Sequence, residues 1–207
     1  ANIAENICKM GEEFVNAVVQ GNPAAKNIVA LGGTPGNPLS ATWQGCAETH
    51  AATLDGVSIV AKEDTNWTQE GTFSATSAVL ARFDKVDGYI YEYADGFRGG
   101  VRAYESTNTP KDMVVALRTD EQGLFCDWED ANHAGFKIFY SSGQNFQSRF
   151  ALTAAMMAKA GTKVDTKINV PFSMKEGKKG LCDRGLPMEI SVSSLVDIDT
   201  LRAMFAK

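Results

Sequence analysis

Two consecutive segments decide the fold: residues 56–83, GVSIVAKEDTNWTQEGTFSATSAVLARF, and residues 87–105, DGYIYEYADGFRGGVRAYE. Each opens on a short run rich in β-branched or aromatic residues, passes through polar residues, and gives way to a helical pattern. The spacing predicts strands over 57–62 and 89–93, with helices over 68–83 and 95–105. Phe73, Thr76, Leu80 and Phe83 share one stripe of the first helix. Strands that alternate with helices in this way form a parallel sheet with helices on its faces. In such sheets ligands bind outside the carboxyl ends of the strands. Trp67 follows the first of these strands and Tyr93 ends the second, so this crest is read as a binding site.

Working outward, the same grammar continues on both sides. Residues 3–19 read as a helix with Ile3, Ile7, Met10, Phe14 and Val18 on one face. Gly21, Asn22 and Pro23 stop it. NIVAL (27–31) reads as a buried strand, 32–38 as a Gly/Pro loop, and 40–53 as a helix carrying Trp43, Cys46 and Ala47 inward. MVVAL (113–117) is a fourth strand with Arg118 at its end. Residues 121–132 read as a short helix, 136–140 as a fifth strand and 144–159 as a strong helix. One short strand falls within 163–170, a basic Gly-rich loop covers 175–185, and a last helix spans 199–205. The composition shifts near 118–123, which marks the best point for a crossing between lobes.

The bulk properties exclude several classes. A chain that is 44% hydrophobic and 22% charged has the material for a sizeable core. A net charge of -5 and the lack of a Lys/Arg stripe argue against nucleic-acid binding. No apolar run approaches the length of a membrane span. No signal-peptide pattern stands at Ala1, so a mature or truncated product is expected. Cys8, Cys46, Cys126 and Cys182 contain no CxxC, which removes zinc ribbons and thioredoxin motifs. Four cysteines allow three pairings and the sequence does not choose among them. Cys8–Cys46 with Cys126–Cys182 is the preferred pairing, and four buried free thiols are the competing reading.

Catalytic motifs are missing. The loop 32–38 lacks the GK[ST] of a P-loop and the GxGxxG spacing, so its Gly and Pro are read as setting a turn. GxSxG and HExxH do not occur. Cys46 and His50 fall at i, i+4 on one helix face, but two ligands do not complete a zinc site. Asp127, Glu129 and Asp130 are read as favouring a helix dipole near a helix start. Lys175, Lys178 and Lys179 are read as a solvated loop, and Trp43 as core. Trp67 is set against core packing, Tyr93 against a lobe-packing tyrosine, and Arg118 against a hinge ion pair. No metal and no cofactor is implied.

Several stretches resemble the carboxyl-terminal lobe of type I periplasmic sugar-binding proteins of ABC importers, the ribose-binding kind. They are GGTPGNPLSATWQGCAE (32–48), DTNWTQEG (64–71), the 87–105 segment and MVVALRT (113–119). KIFYSSGQNFQSRFALTAAMMAKAG (137–161) resembles the strand and helix that cross back into that family's amino-terminal lobe. The ligand-sensing half of LacI-type repressors shares these motifs. The resemblance implies an α/β fold: one doubly wound, Rossmann-like parallel-sheet lobe plus a residual strand and helices of the second lobe. It divides the chain into a ligand-binding carboxyl-terminal lobe (1–118), a crossing segment of the incomplete amino-terminal lobe (119–165), and a return strand with a tail and short helix (166–207). The family's first lobe would precede Ala1, so a truncated or proteolysed product is implied, with helix 144–159 exposing a face that invites dimerisation.

By position, Trp67 matches an aromatic that stacks on the sugar. Ser40 falls where the family often has an Arg, Tyr93 where an Asn bonds a hydroxyl, Arg118 where an Asp accepts hydroxyl protons, and Tyr140 where a Gln is common. Exchanging a carboxylate for the Arg118 guanidinium favours an acid sugar or carboxylate, because Arg forks onto carboxylates. The resemblance therefore implies a non-enzymatic periplasmic receptor. It would capture a sugar, polyol or sugar acid and deliver it to an inner-membrane ABC permease. The alternatives are the effector lobe of a repressor and a doubly wound enzyme.

Overall fold

The computed structural model describes residues 2–194 and 196–206. In chain order the elements are β1 (Asn2–Glu5), α1 (Ile7–Gly21), β2 (Asn27–Gly32), α2 (Pro38–Ala51), β3 (Ser58–Asp64), α3 (Gln69–Arg82), β4 (Gly88–Tyr91), α4 (Ala94–Ser106), β5 (Val114–Leu117), α5 (Gln122–Ala131), β6 (Lys137–Tyr140), α6 (Gly143–Lys159), β7 (Lys167–Val170), β8 (Lys175–Glu176) and α7 (Ile198–Phe205). The main sheet has the order β3-β2-β4-β5-β6-β8. Its first five strands run parallel, and β8 pairs antiparallel with β6. Counted from β2, this is the doubly wound order second-first-third-fourth-fifth. The winding reverses between β2 and β4, and that switch point is where such sheets open a crevice.

Side-chain parity explains why both faces of the sheet are covered. Ile28, Ala30, Ile90, Val114, Ala116 and Phe139 turn to one core, where α1 and α2 supply Met10, Phe14, Val18 and Trp43. Val29, Leu31, Tyr89, Tyr91, Val115, Leu117, Ile138 and Tyr140 turn to the other, where Val79, Phe97, Leu124 and Phe125 wait on α3, α4 and α5. Strands buried on both faces read as continuous apolar runs rather than alternating ones, which is how NIVAL and MVVAL appear. The helices start where their caps dictate: the Asn6, Asn37 and Thr68 side chains accept from the backbone N–H groups of Lys9, Leu39 and Gly71 at 3.1, 2.9 and 2.9 Å.

Several of these expectations require correction. Residues 3–19 do not begin as helix: β1 pairs in parallel with β7 in a separate two-stranded sheet, Glu5 opposite Val170, and α1 starts only after the cap at Asn6. Ile3 looked helical because it keeps the four-residue spacing to Ile7. The boundary at 118 also moves. Leu117 pairs with Tyr140, so β6 completes the main sheet and residues 119–140 belong to the same lobe as β5. The body apart from that sheet consists of β1, β7 and α6. On α6, Leu152, Met156 and Met157 are exposed. The loop expected at 175–185 contributes β8 at its start, and Lys179 bonds the Asn132 side chain.

Both disulfides are present: Cys8–Cys46 joins α1 to α2, and Cys126–Cys182 joins α5 to the carboxyl-terminal tail. Residues 180–193 lie along α5 as a strap. Glu129 accepts from the N–H groups of Gly180 and Leu181 at 2.7 and 3.1 Å, Asp130 pairs with Arg184, and Asp127 pairs with Arg98. These acids sit in the second half of α5, so they fasten neighbours and do not serve a helix start. Among the described residues no helix is long and apolar enough to cross a membrane.

Candidate functional site

Register places the site. Leu31, Tyr91, Leu117 and Tyr140 face one another across four adjacent strands and form the last full row of the sheet. The residues just beyond that row make the rim. An open-mouthed cleft of about 390 Å³ lies there, lined by Leu39, Trp67, Glu92, Tyr93, Arg118, Thr119 and Glu121. That size falls within the range of about 300–1,000 Å³ usual for small-molecule sites. The lining comes from the segments after β2, β3, β4 and β5, on both sides of the switch point.

Trp67 stands on a turn of unusual backbone. Asn66 and Trp67 have φ of 54° and 52°, in the left-handed region that side chains as large as indole seldom occupy. Neighbours hold the turn in place. Asn66 N–H donates to Gly33 C=O at 2.9 Å, and Trp67 N–H to the Thr65 hydroxyl at 3.2 Å. The indole lies so close to Gly33 that a Cβ there would stand 2.1 Å from the ring. Strain of this kind persists where surroundings over-determine it, and it collects at ligand sites.

Glu92 is the hub beneath the ring. Its Oε1 accepts from the Ser40 hydroxyl at 2.6 Å and from the Trp43 indole N–H, and its Oε2 accepts from the Trp67 indole N–H at 3.2 Å. Ser40 in turn accepts from Gly33 N–H at 3.1 Å. Ser40 is therefore buried beneath the cleft rather than lining it, and it sets both Glu92 and the Gly33 backbone. Trp43 is core, as expected, yet it also orients this acid.

At the other end of the rim, Glu121 Oε2 accepts from the Thr119 hydroxyl at 2.6 Å and from Asp95 N–H at 3.3 Å. Burial pushes its carboxyl above the ordinary carboxylate range. The Tyr93 hydroxyl is pushed up to about 12, by burial first and then by the Asp95 and Glu121 carboxylates. It thus remains protonated at neutral pH, and it donates to Asp95 Oδ2 at 3.4 Å.

Arg118 lines the cleft but is already paired. Its Nε and Nη2 both donate to Glu5 Oε2, at 2.8 and 2.5 Å. The Glu5 side chain is 0% exposed and that of Arg118 13%. The hinge-ion-pair alternative describes this geometry, and the fork expected for a solute carboxylate is engaged by the chain's own acid. Tyr140 does not reach the cleft. It stands in the last strand row, and its parity turns it into the core against Phe125, ring centroids 5.1 Å apart. Of the five residues expected at the site, Trp67, Tyr93 and Arg118 come together, Ser40 supports from below, and Tyr140 lies elsewhere.

Leu39, Glu92, Thr119 and Glu121 were missed. The strand-end rule applied residue by residue could have found Glu92 and Thr119, which lie one and two residues beyond the ends of β4 and β5. Glu121 is placed by the start of α5 and by its bridge to Ser191 of the strap, which no local pattern announces. Cys46 is consumed by its disulfide and the His50 ring bonds Asn16 at 2.7 Å, so that pair forms no metal site.

The fold is that of a lobe of the periplasmic solute-binding proteins of ABC transporters. Among the structures that share it is a periplasmic ribose ABC transporter protein from Conexibacter woesei DSM 14684, 20% identical at a TM-score of 0.69, covering 83% of this chain and 57% of that one. A solute-binding protein from Actinobacillus succinogenes 130z with bound D-allose is 17% identical at a TM-score of 0.66, covering 82% and 59%. One from Agrobacterium vitis bound with α-D-tagatopyranose is 13% identical at a TM-score of 0.69, covering 84% and 57%. The chain thus spans less than two thirds of the length of each. No family model and no curated protein matches it.

Proposed function

We propose that this chain is the ligand-binding lobe of the receptor component of an ABC importer, and that it captures a sugar or similar polyhydroxylated solute in the periplasm for an inner-membrane permease. The observation that carries the reading is the rim itself: an indole platform, a tyrosine donor and two carboxylate acceptors gathered at the switch point of a doubly wound sheet. Aromatic faces take the apolar side of a sugar ring, and carboxylates accept from its hydroxyls. The role is non-enzymatic. Two disulfides agree with an oxidising compartment and oppose a cytosolic regulator, so the repressor alternative is not favoured.

One lobe supplies one wall. Covering about 100 Å² of Trp67 is worth about 2.5 kcal/mol, and a charge-assisted hydrogen bond to Glu121 adds about 1.5–3 kcal/mol. Micromolar affinity needs about 8 kcal/mol after association costs. A second wall closing over the cleft would supply the difference. The exposed face of α6 is the proposed contact for a further lobe or a second copy of the chain.

A thermal-shift screen of the full-length gene product against sugars, polyols and sugar acids tests the proposal, since a ligand of the folded state raises the melting point. The expected outcome is a shift with at least one polyhydroxylated solute, abolished in Trp67→Ala. A retained shift in that variant returns the indole to a packing role.

A further inference from the structure

The cleft carries a charge pattern that the sequence did not suggest. Its lining holds two carboxylates, Glu92 and Glu121, and one cationic side chain, Arg118. Glu92 is held by neutral donors only, the Ser40 hydroxyl and two indole N–H groups. Glu121 is likewise held by a hydroxyl and an amide N–H, and its raised titration reflects burial without a cationic partner. The single guanidinium is spent outside the cleft, on Glu5 of β1.

We propose that Glu5 is a specificity-determining residue: by holding Arg118 it cancels the cation of the cleft wall, so that the site admits neutral or amine-bearing polyhydroxylated solutes and refuses those carrying a carboxylate. This inference rests on the solute-binding reading above and deepens it. The physical reason is the burial of the pair. Glu5 has no exposed side-chain surface, its Oε2 is met by two N–H groups of Arg118, and its Oε1 accepts no hydrogen bond among the described residues. Arg118 is therefore the carboxylate's whole compensation. A solute carboxylate that drew the guanidinium away would leave a buried, unpaired charge behind, which is far more costly than the contact it gained. A solute carboxylate that left the pair intact would face Glu92 and Glu121 with no free cation among the described lining residues. A hydroxyl or ammonium group meets neither obstacle, because it donates to the carboxyl oxygens that line the cleft.

The test uses the full-length gene product and matched solutes, D-galactose against D-galacturonate and D-arabinose against D-arabinonate, with D-galactosamine as the amine-bearing probe. Calorimetry and thermal shift are read on wild type, on Glu5→Gln, and on the double variant Glu5→Gln/Arg118→Gln. Wild type is expected to prefer the neutral or amine-bearing member of a pair over the acid by about 10-fold or more, the scale of one charge-assisted hydrogen bond. Glu5→Gln frees the guanidinium and should tighten acid binding by about 10-fold relative to the neutral partner. The double variant, which removes both charges, should lose that gain. The wild-type comparison needs no variant to fold, and a circular-dichroism melt qualifies each variant before its titration. Wild type that binds an acid more tightly than its neutral partner overturns the assignment of Glu5, as does a Glu5→Gln protein that is folded and unchanged in preference, while solute binding itself stands. Absence of binding to every solute in the broad screen and in these pairs overturns the receptor reading and this inference together.

Discussion

Trp67 and Gly33 behave as one unit. The ring occupies the space a side chain at position 33 would need. Gly33→Ala is therefore expected to push the indole off its bond to Glu92, cost about 1–3 kcal/mol in urea denaturation, and remove the ligand-induced thermal shift. Glu121 gives a prediction of a different sign. Its carboxyl is raised in the fold by burial, so the ionised form is penalised above the folded pKa and the penalty fades as pH falls toward the unfolded value. Glu121→Gln should raise the melting temperature at pH 7, with an advantage that shrinks on acidification. The same variant should weaken solute binding by about 10-fold, separating stability from function in one substitution. At this scale the sequence was partly legible. Strand-end placement found Trp67, Tyr93 and Arg118, because they stand within three residues of the ends of β3, β4 and β5. It set an anion contact for Arg118 against a hinge ion pair without naming the partner, because Glu5 is 113 positions away.

Among elements, the strap over α5 is held by a disulfide, by hydrogen bonds from Gln122 to the Leu186 and Pro187 carbonyls at 3.0 and 2.7 Å, and by Asp120 accepting from the Ser191 hydroxyl at 2.7 Å. It touches the site through the Glu121–Ser191 bridge. The disulfides close separations of 38 and 56 residues, and each is expected to contribute about 2–4 kcal/mol. Reduction with dithiothreitol should lower the melting temperature clearly, with maleimide mass tagging confirming four free thiols. Reduction restricted to Cys126–Cys182 should weaken solute binding more than loss of Cys8–Cys46, which lies on the α1–α2 face. Elements of the main sheet were readable because both cores impose the pattern strand by strand. The start at Asn2 was not, since β1 is a strand only by virtue of β7, more than 160 residues later.

For the whole molecule, the cleft has one wall and α6 shows Leu152, Met156 and Met157 to solvent. The 207-residue chain by itself is expected to bind solute more weakly than about 100 μM, and light scattering should find concentration-dependent self-association that Met156→Lys relieves. Micromolar binding by this chain alone would show that a second wall is not needed. The lobe boundary was misplaced from composition at 118 because polarity changes there, whereas strand pairing continues to Tyr140.

A single residue, Asn6, separates β1 from α1, and it already serves as the helix cap. The small sheet consequently has no slack at that joint. Any swing of β1, β7 and α6 against the large sheet must be absorbed at 141–142 and 171–174. Such a swing would tug on Glu5, and through it on Arg118, so that the rim feels the tilt of the outer body mechanically, before any solute has touched both.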